Sequence, residues 1–217
     1  VPFLRISNGR QVHISGVGIQ GINKKDLICA VAIGNVSVMT SIENCSLNEL
    51  YAGIVFPGLR SSPNESVTEG DNDLLVVEQC TFNNAYNIVC GGSQPYACEY
   101  RSNWFTFTKR AFTGKLITNY YKQTTGSHKF SSNEFGTVHK STGSEEDIVY
   151  FDLASNYITV DSCHFETGHE RDVPEVLIRQ FPDGGQNRME RISFTNNTIN
   201  FRNVNKNPSK YRPIIDT

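Results

Sequence analysis

The feature that most constrains this chain is a six-residue phrase that keeps returning. It reads apolar, any, Asn/Gln/Ser, Cys/Asn, any, apolar. Copies stand at Ile42–Leu47 ("IENCSL"), Val77–Phe82 ("VEQCTF"), Tyr100–Phe105 ("YRSNWF"), Phe130–Phe135 ("FSSNEF"), Val160–Phe165 ("VDSCHF") and Phe194–Ile199 ("FTNNTI"), with a looser copy, "ISGVGI", at Ile14–Ile19. Successive starts are 28, 35, 23, 30, 30 and 34 residues apart, a mean of 30. A period of this length marks a stacked architecture in which each repeat buries its apolar face only against its neighbours.

Helical repeats do not fit. Segments such as "DLLVVEQCTF", "NYITVDSCHF" and "RISFTNNTINF" are β-branched and aromatic with period two rather than 3.6. Leucine-rich repeats need more regularly placed leucines, and a propeller blade needs four strands and a longer repeat. A parallel β-helix remains, with short strands separated by turns and successive turns of chain stacked through parallel hydrogen bonding. In such a stack the phrase is a corner. Its two apolar ends face inward on consecutive strands and its middle pair makes the bend, where Asn tolerates left-handed backbone and its amide can bond to the same residue one rung away. Small polar or thiol side chains fit the inside of a tight corner.

Those corners resemble the interior Asn stacks of right-handed parallel β-helix proteins in the pectin-lyase-like superfamily, and among them the chain looks most like the β-helix of bacteriophage tailspikes. The resemblance covers about Ile6 to Phe201. It implies an all-β, right-handed single-stranded solenoid of about seven rungs, read as one domain over residues 1–217 with a surface loop at 57–73. The Asn-Thr-Asp, Gly-His-Gly and Arg-Ile-Lys motifs of polygalacturonases are missing, as is a pectate lyase signature. The tailspike likeness implies a virion tail or appendage that binds a host surface polysaccharide. Its activity stays open between glycoside hydrolase, polysaccharide lyase and none. The alternative is a non-catalytic structural or receptor-binding rod, and a secreted or cell-surface location is the alternative address. A homotrimer is implied in the same way.

Composition narrows the partners. The formal net charge is −2 and the basic residues do not cluster, which argues against a nucleic-acid partner held by phosphate contacts. No apolar run is long enough for a membrane helix, so no membrane insertion is expected. The opening "VPFLRISNGR" lacks an initiator Met and a signal-peptide layout, which reads as a fragment or processed product. The six cysteines (Cys29, Cys45, Cys80, Cys90, Cys98, Cys163) form no CxxC pair, and three occupy one motif position, favouring buried thiols over bridges or zinc. Of the sequons at Asn35, Asn44, Asn64 and Asn196, two fall inside the motif and read as chance. No cofactor or metal is expected.

Stacking turns the sequence into columns with neighbours about 4.8 Å apart. The second motif position runs Ser15, Glu43, Glu78, Arg101, Ser131, Asp161, Thr195, and the fifth runs Gly18, Ser46, Thr81, Trp104, Glu134, His164, Thr198. Both should face outward. Trp104 offers a stacking platform for a sugar ring, and Glu134 and Asp161 are the candidate catalytic carboxylates, since glycoside hydrolysis uses a pair flanking the bond. Arg101 and His164 are expected to orient the sugar. The competing reading has Trp104 shield a hydrophobic patch or a subunit interface, makes Glu134 and His164 ordinary surface residues, and makes Glu43, Glu78 and Arg101 a salt-bridged ladder. Polar excursions are expected at Pro57–Asp73, Gly92–Glu99, Gly136–Asp147, Glu166–Glu175 and Gln180–Arg188. The acids Glu65, Glu69, Asp71 and Asp73, and the group His169, Glu166, Glu170 and Asp172, match no metal pattern.

Overall fold

The computed structural model describes residues 2–6, 10–21, 29–33, 39–50, 52–56, 74–83, 87–91, 97–106, 115–118, 125–136, 149–153, 155–167, 176–180, 191–201 and 215–216. Among them every regular element is a β-strand. The strands follow one another in triplets. The first is β1 (Pro2–Ile6), β2 (Gln11–Ser15) and β3 (Gly18–Gln20), and the second β4 (Cys29–Ile33), β5 (Met39–Glu43) and β6 (Ser46–Asn48). Next come β7 (Ala52–Phe56), β8 (Leu74–Glu78) and β9 (Thr81–Asn83), then β10 (Asn87–Gly91), β11 (Ala97–Arg101) and β12 (Trp104–Thr106). They continue through β13 (Lys115–Thr118), β14 (Thr125–Ser131), β15 (Glu134–Phe135), β16 (Val149–Leu153), β17 (Ser155–Asp161) and β18 (His164–Thr167). The last are β19 (Val176–Gln180), β20 (Arg191–Thr195), β21 (Thr198–Phe201) and β22 (Ile215–Asp216).

Each strand pairs in parallel with the strand three places later. Three long sheets result: sheet A (β1-β4-β7-β10-β13-β16-β19-β22), sheet B (β2-β5-β8-β11-β14-β17-β20) and sheet C (β3-β6-β9-β12-β15-β18-β21). An all-β chain with three long parallel sheets ordered this way is compatible with a parallel β-helix or solenoid. Of the expected excursions, 57–73 lies outside the described residues, as do most of 136–147, 166–175 and 180–188. Three of these expectations run too long. Ala97–Glu99 belong to β11, Glu166 and Thr167 to β18 and Gln180 to β19, because the pairing of these strands with their neighbours outweighs the local polarity on which the loops were read.

The apolar ends of the motif point inward, as expected. On sheet C the inner column runs Ile19, Leu47, Phe82, Phe105, Phe135, Phe165, and on sheet B Ile14, Ile42, Val77, Tyr100, Phe130, Val160, all buried. The rings of Phe82, Phe105, Phe135 and Phe165 stack at centroid separations of 5.1, 5.0 and 4.9 Å. Phe151 of sheet A joins the two columns, 4.2 Å from the Phe130 ring and 5.1 Å edge-on from that of Phe135. Burial of each such ring stabilises by about 1.5–3 kcal/mol.

At the corners two jobs expected of one residue are divided between two. Left-handed backbone falls on the third motif position: Asn44, Gln79, Ser102, Ser132, Ser162 and Asn196, with φ between 51° and 54°, and Gly16 at 69° in the looser copy. Strain at a non-glycine residue persists where the surroundings over-determine it. Here the third-position N–H of every copy before the last donates to the second-position carbonyl of the next repeat, as Ser102 does to Ser131 at 3.0 Å and Ser132 to Asp161 at 3.1 Å. The buried ladder belongs to the fourth position. Asn133 donates from Nδ2 to the Tyr100 carbonyl at 2.9 Å while its Oδ1 accepts from the Asn103 backbone N–H at 3.0 Å. Asn103 repeats this toward Val77 and Cys80, and Asn197 toward Val160 and Cys163.

Cysteine fills the same position where no amide stands. The Cys80 thiol donates to the carbonyls of Glu78 and Ile42 at 3.3 and 3.4 Å. Burial pushes the Cys80 and Cys98 thiols up to about 12, so both stay protonated at neutral pH. Cys29, Cys45, Cys80, Cys98 and Cys163 are free thiols, the last four buried. Among the described residues no group of His, Cys, Asp or Glu could hold a metal ion.

Candidate functional site

The outward columns take the register that the motif spacing predicts. Ser15, Glu43, Glu78, Arg101, Ser131, Asp161 and Thr195 are successive Cα partners along sheet B. Along sheet C the partners are Gly18, Ser46, Thr81, Trp104, Glu134, His164 and Thr198. The two columns lie on either side of the left-handed corner, so Trp104, Glu134 and His164 share one sheet face while Arg101 and Asp161 belong to the adjoining one.

Trp104 is 52 % exposed, although its chain neighbours Asn103 and Phe105 are buried. Strict alternation across the strand puts Phe105 in the core and leaves the indole on the surface. Glu134 is exposed beside it and His164 half-exposed beyond. Among the described residues no ion pair engages these three side chains.

Arg101 and Asp161 are already occupied. The Arg101 guanidinium pairs with Glu78 at 3.8 Å and contacts the Glu99 carboxylate, and His13 lies 3.6 Å from Glu43 and 2.6 Å from the Ser41 hydroxyl. The Arg101–Glu78 pair is one step of the salt-bridged ladder expected as the alternative for this column, while Glu43 turns to His13, which stands outside it. The carboxylate of Asp161 accepts from the Thr195 hydroxyl at 2.6 Å and the Asn196 side-chain amide at 3.0 Å on one oxygen, and from the Ser162 hydroxyl at 3.1 Å on the other. The Thr195 bond, then those from Asn196 and Ser162, hold its pKa below the ordinary carboxylate value. An acid held ionised in this way is unsuited to donating a proton, and its lone pairs serve the neighbouring corner.

One polar column escaped the six-residue reading. The residue after each motif continues along sheet C as Asn48 and Asn83, paired in register, and again as Glu166 and Asn200. Extending the motif to a seventh position would have found it. Asn48 donates from Nδ2 to the Ser46 hydroxyl at 3.0 Å, linking this column to that of Trp104. The acids at 65–73 and the group at 169–172 lie outside the described residues.

Comparison with protein-family models, with curated proteins and with solved structures finds no match to this chain.

Proposed function

We propose that the three sheets coil as a right-handed single-stranded parallel β-helix of about seven rungs and that the outer face of sheet C binds a surface polysaccharide. The right-handed sense follows from the strong preference of parallel crossovers for that hand. The observation that carries the binding reading is Trp104, a large indole more than half exposed on a regular sheet, with a carboxylate and an imidazole in register beside it. An exposed aromatic face on a stiff support suits a sugar ring, which offers C–H groups to the π-system and hydroxyls to adjacent polar side chains.

Depolymerisation by Glu134 and Asp161 is the stronger form of this reading. The occupied carboxylate of Asp161 and the paired guanidinium of Arg101 favour the weaker form, a binding rod without cleavage. A glycan array probed with the native protein, followed by reducing-end and unsaturated-product assays on each hit, separates the two. Product release that survives the double substitution Glu134→Gln, Asp161→Asn removes these carboxylates from the mechanism. Binding without product selects the rod, and binding to no glycan overturns both.

A virion appendage, with a secreted or cell-surface protein as the alternative, is the setting this reading suits. A homotrimer is the assembly proposed by resemblance.

A further inference from the structure

We infer that the ligand of the sheet C face is a neutral or amine-bearing glycan and not a polyuronate, an inference that rests on the polysaccharide reading above. The strands of sheet C read Gly-Ile-Gln, Ser-Leu-Asn, Thr-Phe-Asn, Trp-Phe-Thr, Glu-Phe, His-Phe-Glu-Thr and Thr-Ile-Asn-Phe, without a single Lys or Arg. Their charged side chains are Glu134 and Glu166, both at outward positions, while His164 carries a charge only when protonated. A polymer with a carboxylate on each sugar would be drawn to a face with fixed cations, of which Arg is the usual partner. Cationic residues of sheet B stand across the corner from this face. There the Arg101 guanidinium is held by Glu78 and Glu99, and Lys129 lies close enough for its charge to help keep Asp161 ionised.

The uncharged remainder of the face suits hydroxyl-rich ligands. Ser46, Thr81 and Thr198 present hydroxyls that both donate and accept, with Ser46 and Thr81 one strand spacing of about 4.8 Å apart. Glu134, in register with Trp104, accepts from a sugar hydroxyl or pairs with an ammonium group of a sugar stacked on the indole. The geometry therefore assigns Trp104 the stacking role and Glu134 the selection against anionic sugars.

Trp104 is the chain's one tryptophan, so its fluorescence reports on this face alone. The test titrates the full chain at low salt with dextran, chitosan oligomers and polygalacturonate, following selectively excited tryptophan emission. Saturable change with dextran or chitosan is expected, with polygalacturonate weaker by about fivefold or more, the size of one charge contact in water. Glu134→Gln is expected to narrow that gap, and Trp104→Ala, followed by calorimetry, to abolish binding. Polygalacturonate binding as well as or better than the others, with Trp104→Ala abolishing it, overturns this inference and leaves the polysaccharide reading standing. No response to any of the three overturns both.

Discussion

Asn133 and Ser132 sit side by side in one corner and do opposite kinds of work. Asn133 is buried and satisfies the Tyr100 carbonyl and the Asn103 N–H, while Ser132 is exposed and bears the left-handed backbone at φ 54°. Truncating the first leaves buried polar groups unpaired, so Asn133→Ala should destabilise by about 2–4 kcal/mol. Ser132→Gly should change stability by no more than about 1 kcal/mol, because relief of the left-handed strain offsets the added unfolded-state freedom. Urea midpoints of the two variants check the division, and equal losses would refute it. His128, fully buried between Cys98 and Ile158 in the inner column of sheet B, is the other residue whose burial has a measurable sign. Burial pulls its pKa down to about 3. The native ring stays neutral while the unfolded chain takes up a proton near the ordinary value of about 6.5. Its contribution is therefore complete above about pH 6.5 and is lost as pH falls toward 3, by up to roughly 1.4 kcal/mol per unit. Asp161, with its lowered pKa, adds acid sensitivity only below about pH 4. Between those limits His128→Leu should flatten the dependence of stability on pH. An unchanged slope would mean that another group carries it.

At the scale of the element, the corner is where local chemistry and long-range pairing meet. Gly21 follows β3 and donates its N–H to the Asn48 carbonyl at 2.9 Å. A Cβ placed there would lie 2.1 Å from the Glu49 carbonyl oxygen, a backbone atom held in turn by the Glu49 N–H bond to Asn83. Gly21→Ala should therefore push β3 off β6 and cost about 1–3 kcal/mol, whereas alanine at Gly18, which meets nothing, should cost far less. Thermal melts of the two variants decide it. The corners of sheets B and C, and the register of both outer columns, were legible in the sequence because period-two alternation and a bend of constant length are local properties. Sheet A was not registered in the same way. Its strands, such as "CAVAI", "AGIVF" and "VYFDL", carry no shared polar punctuation and stand at changing distances from the corner. Which residue of β16 meets which residue of β19, as Phe151 meets Ile178, is decided by long-range strand pairing and not by a local signal. The candidate site was legible to the level of columns. That Arg101 turns to Glu99 and Asp161 to Thr195 is a choice of rotamer and partner, to which spacing is blind.

For the whole molecule, stability should vary along the stack because each triplet leans on its neighbours and little else. Stacked repeats behave as nearly one-dimensional systems, so a repeat covered on both sides opens less readily than one covered on one. The inner columns show such a gradient. Tyr100, Phe105, Phe130, Phe135, Val160 and Phe165 are fully buried, whereas Val12 is half-buried on β2, and on β20 and β21 Ile192 and Phe194 are half-buried and Ile199 is 37 % exposed. The central side chains also make the closest ring stacks, from Tyr100 over Phe130 at 4.8 Å to Phe135 over Phe165, while Phe194 lies 5.9 Å from Phe165. Native-state amide exchange should accordingly give the highest protection to β11, β12, β14, β15, β17 and β18, falling toward β2 and β3 on one side and β20 and β21 on the other. Asn133→Ala should lower protection in the central strands first, since its lost bonds tie β11 and β12 to β14 and β15. Uniform protection along the stack would mean that the protein opens as a single unit. A minimum in the centre would mean that the polar corner ladder, and not the covered aromatic core, limits local stability.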